Sequence, residues 1–320
     1  MNSPSAVNQF YQLTPDVIME AVESAGFRPT GEYLQLNSYE NRVFSIRLED
    51  EPKNVIAKFY RPGRWSRSAI LEEHKFLAEL NASGIPAVAP IPGTLQEIRG
   101  IITVFFPKAR GRIPADFSEE DLEKIGAMLA RVHNVGAQEP CHHRHTFDAN
   151  MGWTALHTLK NHIHPGLHDR YEDAAGTILG YLDKHLDKRK FQRIHGDAHR
   201  GNLLQTDTPG QPKELFMLDF DDFGMGIPAQ DFWMLCLGDE EDAEKHLRAL
   251  LKGYRQLRDF HDSQLRLLEP LRGLRIIHYA AWIARRWSDP TFPQLFPQFG
   301  SESYWLDELQ NLEPIADNLG

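Results

Sequence analysis

Apolar and polar positions change period along this chain, and each change marks a new element. LTPDVIMEAVESAG reads as a helix, with Thr14 as N-cap, Pro15 at the first helical position, Asp16 in the first turn and Gly26 as the stop. The period then shortens. EYLQLN, RVFSIRL and NVIAKFY alternate or run apolar in β-forming residues between turn-prone stretches, which predicts three antiparallel strands. SRSAILEEHKFLAELNASG returns to a helical spacing, capped by Ser66 and ended by Gly84, and GIITVFFP is a further strand stopped by Pro107. Residues 1–106 are therefore expected to form a small antiparallel sheet with one or two helices.

Beyond that point the pattern is helical. FSEEDLEKIGAMLARVHNVG carries a capping box from Ser118 to Asp121 and an apolar stripe at Leu122, Ile125, Leu129 and Val132. Residues 154–190 and 229–318 keep the same period. Two stretches interrupt it, RIHGDAHRGNLL and ELFMLDFDDFG, and together they predict one short hairpin running through TDTPGQPK. The expected class is α+β, with a small sheet lobe over 1–106 and a larger, mainly helical lobe over 107–320 that carries the hairpin.

Composition narrows the possibilities. The 320 residues are 41% hydrophobic and 25% charged, ordinary for a globular chain with room for two cores. No apolar run approaches the roughly 20 residues that cross a bilayer, and the first fifteen residues have neither a basic start nor an apolar core, so a cytoplasmic protein is expected. The two cysteines, Cys141 and Cys236, belong to no C-x-x-C pair and exclude a disulfide framework. A net charge of -10 disfavours a nucleic-acid partner, because phosphate binding needs a basic face.

Candidate chemistry begins with a lysine in a strand. Lys58 shares a face with Ile56 and Tyr60 in VIAKFY, and Glu73 falls inside the apolar arc of Ile70, Phe76, Leu77 and Leu80 on the helix that follows. A carboxylate on an apolar stripe needs a cation, so a Lys58 to Glu73 pair is the economical solution. In RIHGDAHRGNLL, Asp197 has the chemistry to accept a hydroxyl proton, and the Asn202 amide oxygen suits a hard cation. Asp219 ends an apolar strand seventeen residues after Asn202, far enough for a hairpin to return it beside that asparagine. Two oxygen ligands so placed suit magnesium.

These residues carry a resemblance. HGDAHRGN matches the H-G-D-x-H-x-x-N loop of the kinase-like phosphotransferases that include choline kinase and the aminoglycoside phosphotransferases, and LDFDD resembles their metal-binding aspartate segment. LNSYENRVF, AKFYRPGRW, LEEHKF, PAQDFWML and EPLRGLRIIHYAAWIARRWSDPTFP are similar to the bacterial stress response kinase A family over nearly the whole chain. The likeness implies a bilobal, protein-kinase-like fold and a cytoplasmic, monomeric kinase that uses ATP and Mg to phosphorylate Ser or Thr on proteins, itself possible among them. It implies Asp197 as catalytic base, Asn202 and Asp219 as Mg ligands, and Lys58 on the α- and β-phosphates, held by Glu73. Ser38 or Asn41, in the glycine-free turn NSYEN, would approach the phosphates. Phe105 and Phe106 would lie near the hinge that receives adenine, and Asp231 would hold the catalytic loop from a helix start. Asp221 is a candidate for bridging a second metal. Asp219 is followed by Phe-Asp-Asp rather than Phe-Gly, and no A-P-E segment occurs, so activation-loop control of the protein-kinase kind is not supported.

Three rivals remain open. A small-molecule kinase would keep the chemistry and change the acceptor to an amino alcohol or sugar. A hydrolase would grip zinc with His195, Asp197 and His199, which alternate on an extended backbone. A pseudokinase would bind without catalysis. Seven of the 15 histidines fall between His142 and His168 and read as a solvated surface. The arginines and tryptophans around Arg272, Arg275, Trp282, Arg285, Arg286 and Trp287 are either an acceptor face or ordinary packing.

Overall fold

The computed structural model describes residue 10 and residues 12–206, 214–236, 238 and 240–319. The fold is α+β, an antiparallel sheet in the N-terminal part and a mostly helical C-terminal part. The chain divides into two compact units, and the division is not a single cut. One holds the residues up to Asp116 together with Cys141–Arg144 and Arg200–Asp221, and the other holds Phe117–Pro140, His145–His199 and Asp222 onward.

In the first unit, helix α1 (Pro15–Ser24) starts as its sequence dictates, with the Thr14 hydroxyl accepting from the Val17 N–H and Pro15 in the first turn. Strands β1 (Pro29–Leu36), β2 (Arg42–Leu48) and β3 (Asn54–Phe59) follow, then helix α2 (Arg67–Ala82), capped by the Ser66 hydroxyl. Strands β4 (Gln96–Ile98) and β5 (Ile101–Pro107) complete a five-stranded sheet in the order β1-β2-β3-β5-β4, antiparallel throughout. Its core joins Ile18, Ala21 and Val22 of α1 to Phe44, Ile46, Val55, Ala57, Phe59, Ile101 and Phe105 of the sheet. Alternation along β3 sends Val55, Ala57 and Phe59 into that core and leaves Lys58 on the other face.

The second unit opens with α3 (Glu119–Gly136), whose Ser118–Asp121 capping box forms as expected. Helices α4 (Ala149–Leu159) and α5 (His168–His185) lead to β6 (Gln192–Ile194). Strands β7 (Leu203–Gln205) and β8 (Leu215–Met217) belong to the first unit, and β9 (Gly224–Gly226) returns to the second. The remaining helices are α6 (Gln230–Trp233), α7 (Glu240–Tyr254), α8 (Leu268–Arg285), α9 (Thr291–Leu295) and α10 (Glu302–Asp317). Gly126 on α3 and Gly253 on α7 let those helices touch: a Cβ at either would lie 1.9 Å from the Leu250 carbonyl oxygen or 1.8 Å from that of Glu123.

The single hairpin expected around the two interrupting stretches is instead two ladders. β7 pairs with β8, Leu203 opposite Met217, and β6 pairs with β9, Ile194 opposite Gly224. Three-residue strands are too short for a period to show, and Gly224 and Gly226 read as turn residues; residues 207–213 of the expected connection lie outside the described residues. Bridges from Ala87 to Met217 and from Arg112 to Gln205 join the β7–β8 ladder to the rest of the first unit. Among the described residues no helix is long and apolar enough to cross a membrane.

Candidate active site

Lys58 enters the first unit's charged cluster from β3, on a face it shares with Tyr60, whose ring lies 4.7 Å from the ammonium. The helix that follows turns Glu73 into the same space, where it is buried, and its carboxylate stands 3.5 Å from Lys58 Nζ. Asp221 comes closer, at 2.9 Å, and Asp219 lies at 3.6 Å. Burial alone would lower the lysine's pKa, but the carboxylates of Asp221, Glu73 and Asp219 outweigh it and hold the ammonium well above its ordinary value. Lys58 is a fixed cation.

The two nearby aspartates have opposite environments. Asp221 sits in the single turn Phe220–Asp222 with its side chain 6% exposed, accepting from Arg64 at 2.5 Å and from the Asn41 amide at 3.2 Å. Its backbone carbonyl accepts from Arg144. Asp219 is 57% exposed and holds a left-handed backbone, φ 52°, a conformation short polar residues tolerate. One carboxylate is locked among cations; the other faces water.

The sites expected from the sequence divide accordingly. The Ser38 hydroxyl accepts from the Asn41 N–H at 3.2 Å, and the Asn41 side chain is buried with both ends engaged, donating to Asp221 and accepting from the Arg61 N–H. That amide braces the turn. Phe105 and Phe106 point to opposite faces, as neighbours on a strand must: Phe105 is in the apolar core against Phe27, whereas the Phe106 ring lies 6.0 Å from Lys58 Nζ. Asn202 stands at the base of the β7–β8 hairpin, its carbonyl accepting from the Leu218 N–H at 2.8 Å, so the chain places it next to the residue that precedes Asp219. An amide oxygen and a water-facing carboxylate at one hairpin base are hard donors of the kind Mg takes.

Sequence reasoning missed three residues of this cluster. Asp221 appeared only as a possible second metal bridge, Arg64 only inside a quoted segment. Arg144 lay within CHHRH, a stretch read as solvated, yet its side chain is buried over the Trp65 ring at 3.7 Å, 3.9 Å from Glu73. The Glu72 carboxylate anchors the same segment by accepting from the His142 and His143 N–H groups at 2.7 and 2.9 Å. Glu72 flanking the apolar arc was the available signal, but its partner lies seventy residues away.

In the second unit the loop after β6 is held from beneath. The Asp231 carboxylate accepts from the His195 and Gly196 N–H groups, both at 2.8 Å, and His133 Nε2 lies 3.0 Å from it. Burial keeps His133 neutral despite that carboxylate, so its one ring proton sits on Nε2 and Nδ1 accepts from the Tyr254 hydroxyl at 3.0 Å. Gly196, φ 82°, has no room for a side chain: a Cβ would lie 2.4 Å from the Phe147 ring. This is the role expected of Asp231. The loop presents Asp197, which accepts from Arg275 of α8 at 2.8 Å and lies 3.5 Å from His199 Nε2. Burial raises the Asp197 pKa, but His199 and Arg275 outweigh it, leaving the carboxylate below its ordinary value and ionised at neutral pH. His195 is fully buried with Nδ1 accepting from the Asp197 N–H. No group of three or more His, Cys, Asp or Glu side chains among the described residues is arranged to hold a metal, which leaves the zinc reading without a ligand set.

Residues 32–268 match the family described as APH, phosphotransferase enzyme family. The chain is 35% identical over 304 residues to the Stress response kinase A of Escherichia coli, covering 93% of this chain and 90% of that protein. It is 34% identical over 314 residues to the Serine/threonine protein kinase RdoA of Salmonella typhimurium, covering 92% and 90%. Among solved structures it resembles a microcompartment-associated aminopropanol kinase, with a TM-score of 0.71 and 19% identity over 95% of this chain and 99% of that one.

Proposed function

Because the chain belongs to the phosphotransferase enzyme family, and within it to the stress response kinase A family, we propose that it transfers the γ-phosphoryl group of ATP to Ser or Thr hydroxyls of proteins, its own chain included. The observation that carries this reading is the buried Lys58 ammonium, 3.5 Å from Glu73 and 3.6 Å from a water-facing Asp219. A permanent cation fixed beside an exposed carboxylate is what a metal-bound triphosphate requires. The name of the Salmonella typhimurium relative supports the Ser/Thr acceptor.

Phosphoryl transfer asks a protein mainly to position groups and to neutralise charge. Lys58 holds the α- and β-phosphates, and Glu73 and Asp221 fix its direction. Asn202 and Asp219 are the residues that would hold Mg, which supplies countercharge to the phosphates. Asp197 orients the acceptor hydroxyl and takes its proton as the oxygen bonds to the γ-phosphorus and ADP leaves with the electrons of the broken bond. Arg275 and Asp231 keep that base ionised and in place. Phe106 offers a ring toward the nucleotide base. In this reading the protein works as a cytoplasmic monomer, with no nucleic acid and no membrane involved.

The test follows γ-labelled phosphate from ATP into generic protein substrates and into a panel of small alcohols, for wild type and Asp197→Asn. Label in phosphoserine or phosphothreonine, reduced by a factor on the order of 10³ in the variant, is the expected result. Label entering only small alcohols would replace the protein acceptor with an amino alcohol or sugar.

A further inference from the structure

The face of α8 that meets Asp197 is a ladder of cations and rings. Arg275 donates to Asp197 and stands 5.7 Å over the Tyr279 ring. Tyr279 stacks on Trp282, centroids 5.3 Å apart and planes 18° from parallel. Arg286, which caps the helix, lies 5.1 Å over Trp282. Positions 275, 279, 282 and 286 are spaced by four, three and four, so they share one face of the helix. Phe292 and Phe296 brace Trp282 edge-on at 5.0 and 5.8 Å, and Tyr279 stays 37% exposed. The strip is packed on both sides of Trp282 and reaches water at Tyr279.

Its charge decides what it suits. An amino alcohol would bring an ammonium to rings that guanidinium groups already cover, so its cation–π attraction would be offset by like charge. Asp222 is the acid whose charge reaches both Asp197 and His278, and the guanidiniums of Arg275 and Arg285 reach His278 as well. Arg275 presents a planar fork of five N–H donors, of which one nitrogen is spent on Asp197, a geometry suited to a second carboxylate. Eleven residues of helix from Arg275 to Arg286 span about 16 Å, the length of about five residues of extended peptide.

We infer that the strip Arg275, Tyr279, Trp282 and Arg286 reads the acceptor and selects an acidic peptide, a Ser or Thr with one carboxylate beside it for Arg275 and another about five residues away for Arg286. The inference rests on the proposed reading of Asp197 as the base, and it specifies which proteins that base serves. Tyr279 and Trp282 supply the apolar floor between the two arginines, where the intervening peptide side chains lie.

The test compares kcat/KM for labelled phosphate transfer to three peptides with one central Ser flanked by Asp and Glu, by Asn and Gln, or by Lys and Arg. Ethanolamine and glycerate serve as small acceptors. Because Arg275 also holds Asp197, the informative variants are Arg286→Glu and Arg286→Lys. Wild type is expected to favour the acidic peptide over the basic one by a factor on the order of 10². Arg286→Glu is expected to shrink that ratio at least tenfold, while Arg286→Lys retains most of it. The ratio is read within one preparation, so partial misfolding lowers both rates and leaves it unchanged. Equal or better use of the basic peptide, a ratio untouched by Arg286→Glu, or preference for ethanolamine or glycerate over every peptide would overturn the acidic-acceptor inference. Label reaching no peptide or protein would instead overturn the Ser/Thr reading beneath it, a result distinguishable because the small acceptors report transfer independently.

Discussion

The charged cluster around Lys58 and the clasp around Asp231 solve the same problem by different means. Each buries a carboxylate that would be costly unpaired. Asp221 is balanced by cations, Lys58 at 2.9 Å and Arg64 at 2.5 Å, with Arg144 holding its backbone. Asp231 is balanced by backbone, the His195 and Gly196 N–H groups at 2.8 Å, with a neutral histidine beside them. A charge cluster tolerates exchange of partners, because a bound anion or cation substitutes for one of its members. Backbone N–H groups cannot be exchanged without moving the loop. The difference separates a cluster whose partners a charged ligand could replace, as the proposed function requires, from one that keeps a side chain still.

Breaking the clasp is expected to have the largest effect. Asp231→Ala leaves two buried backbone donors and His133 without their acceptor, and should lower stability by about 3–5 kcal/mol in urea denaturation. Asp231→Asn, which retains one acceptor oxygen, should fall between. If both variants denature like wild type, the loop is held by something else.

Next comes the charge cluster. Lys58→Met strands Glu73 and Asp221 in a buried site, and a loss of about 3 kcal/mol is expected. Adding Asp221→Asn should recover part of it, since the second change removes one of the two carboxylates that Lys58 neutralised and leaves Arg64 a neutral amide to pair with. A double-variant cycle measures that coupling, and additive losses would mean that the two groups act independently.

Acidification sharpens the comparison further. Burial lowers the pKa of His133, of His278 and of His74, the last to about 4, so each is neutral in the folded chain and gains a proton more readily when unfolded. Stability from these groups is complete above the unfolded value near 6.5 and falls as pH drops toward the folded values. Between pH 7 and pH 5.5 His74 should cost about 1 kcal/mol, with His133 and His278 acting in the same direction; this is read as a falling urea midpoint, and His74→Gln should remove its share of the slope. The smallest effect belongs to an exposed pair. Arg28 and Asp50 approach to 2.6 Å, but their side chains are 67% and 58% exposed. Arg28→Ala should leave the midpoint where it was, because water and salt screen the pair.

How much of this was readable in sequence follows from the period of each segment. The Lys58–Glu73 pair was legible because a strand and a helix with regular spacing both turned a charge inward. The caps at Thr14, Ser66 and Ser118 were legible because each is a local rule. Asp231 was legible through the family likeness of its segment. The sequence put Asp219 on the metal and Asp221 on a second one, but the burial of Asp221 among cations was not legible, because Asp219 is itself left-handed, Asp221 lies in a single tight turn and no period survives there. Arg144 could not be placed either. Its ring partner Trp65 and the carbonyl of Asp221 are about eighty residues away on either side, and the neighbouring histidines suggested water. Phe105 and Phe106 needed only strand alternation to be separated.

Binding of ATP to the whole chain, measured by calorimetry with and without Mg, bears most directly on the cation at position 58 and the water-facing carboxylate at 219. Wild type should bind Mg–ATP more tightly than ATP alone, Asp219→Asn should lose that dependence, and Lys58→Met should weaken binding by a factor on the order of 10², about 2.7 kcal/mol. Binding by Lys58→Met as tight as wild type, with the same response to Mg, would contradict the assignment of this cluster to the nucleotide.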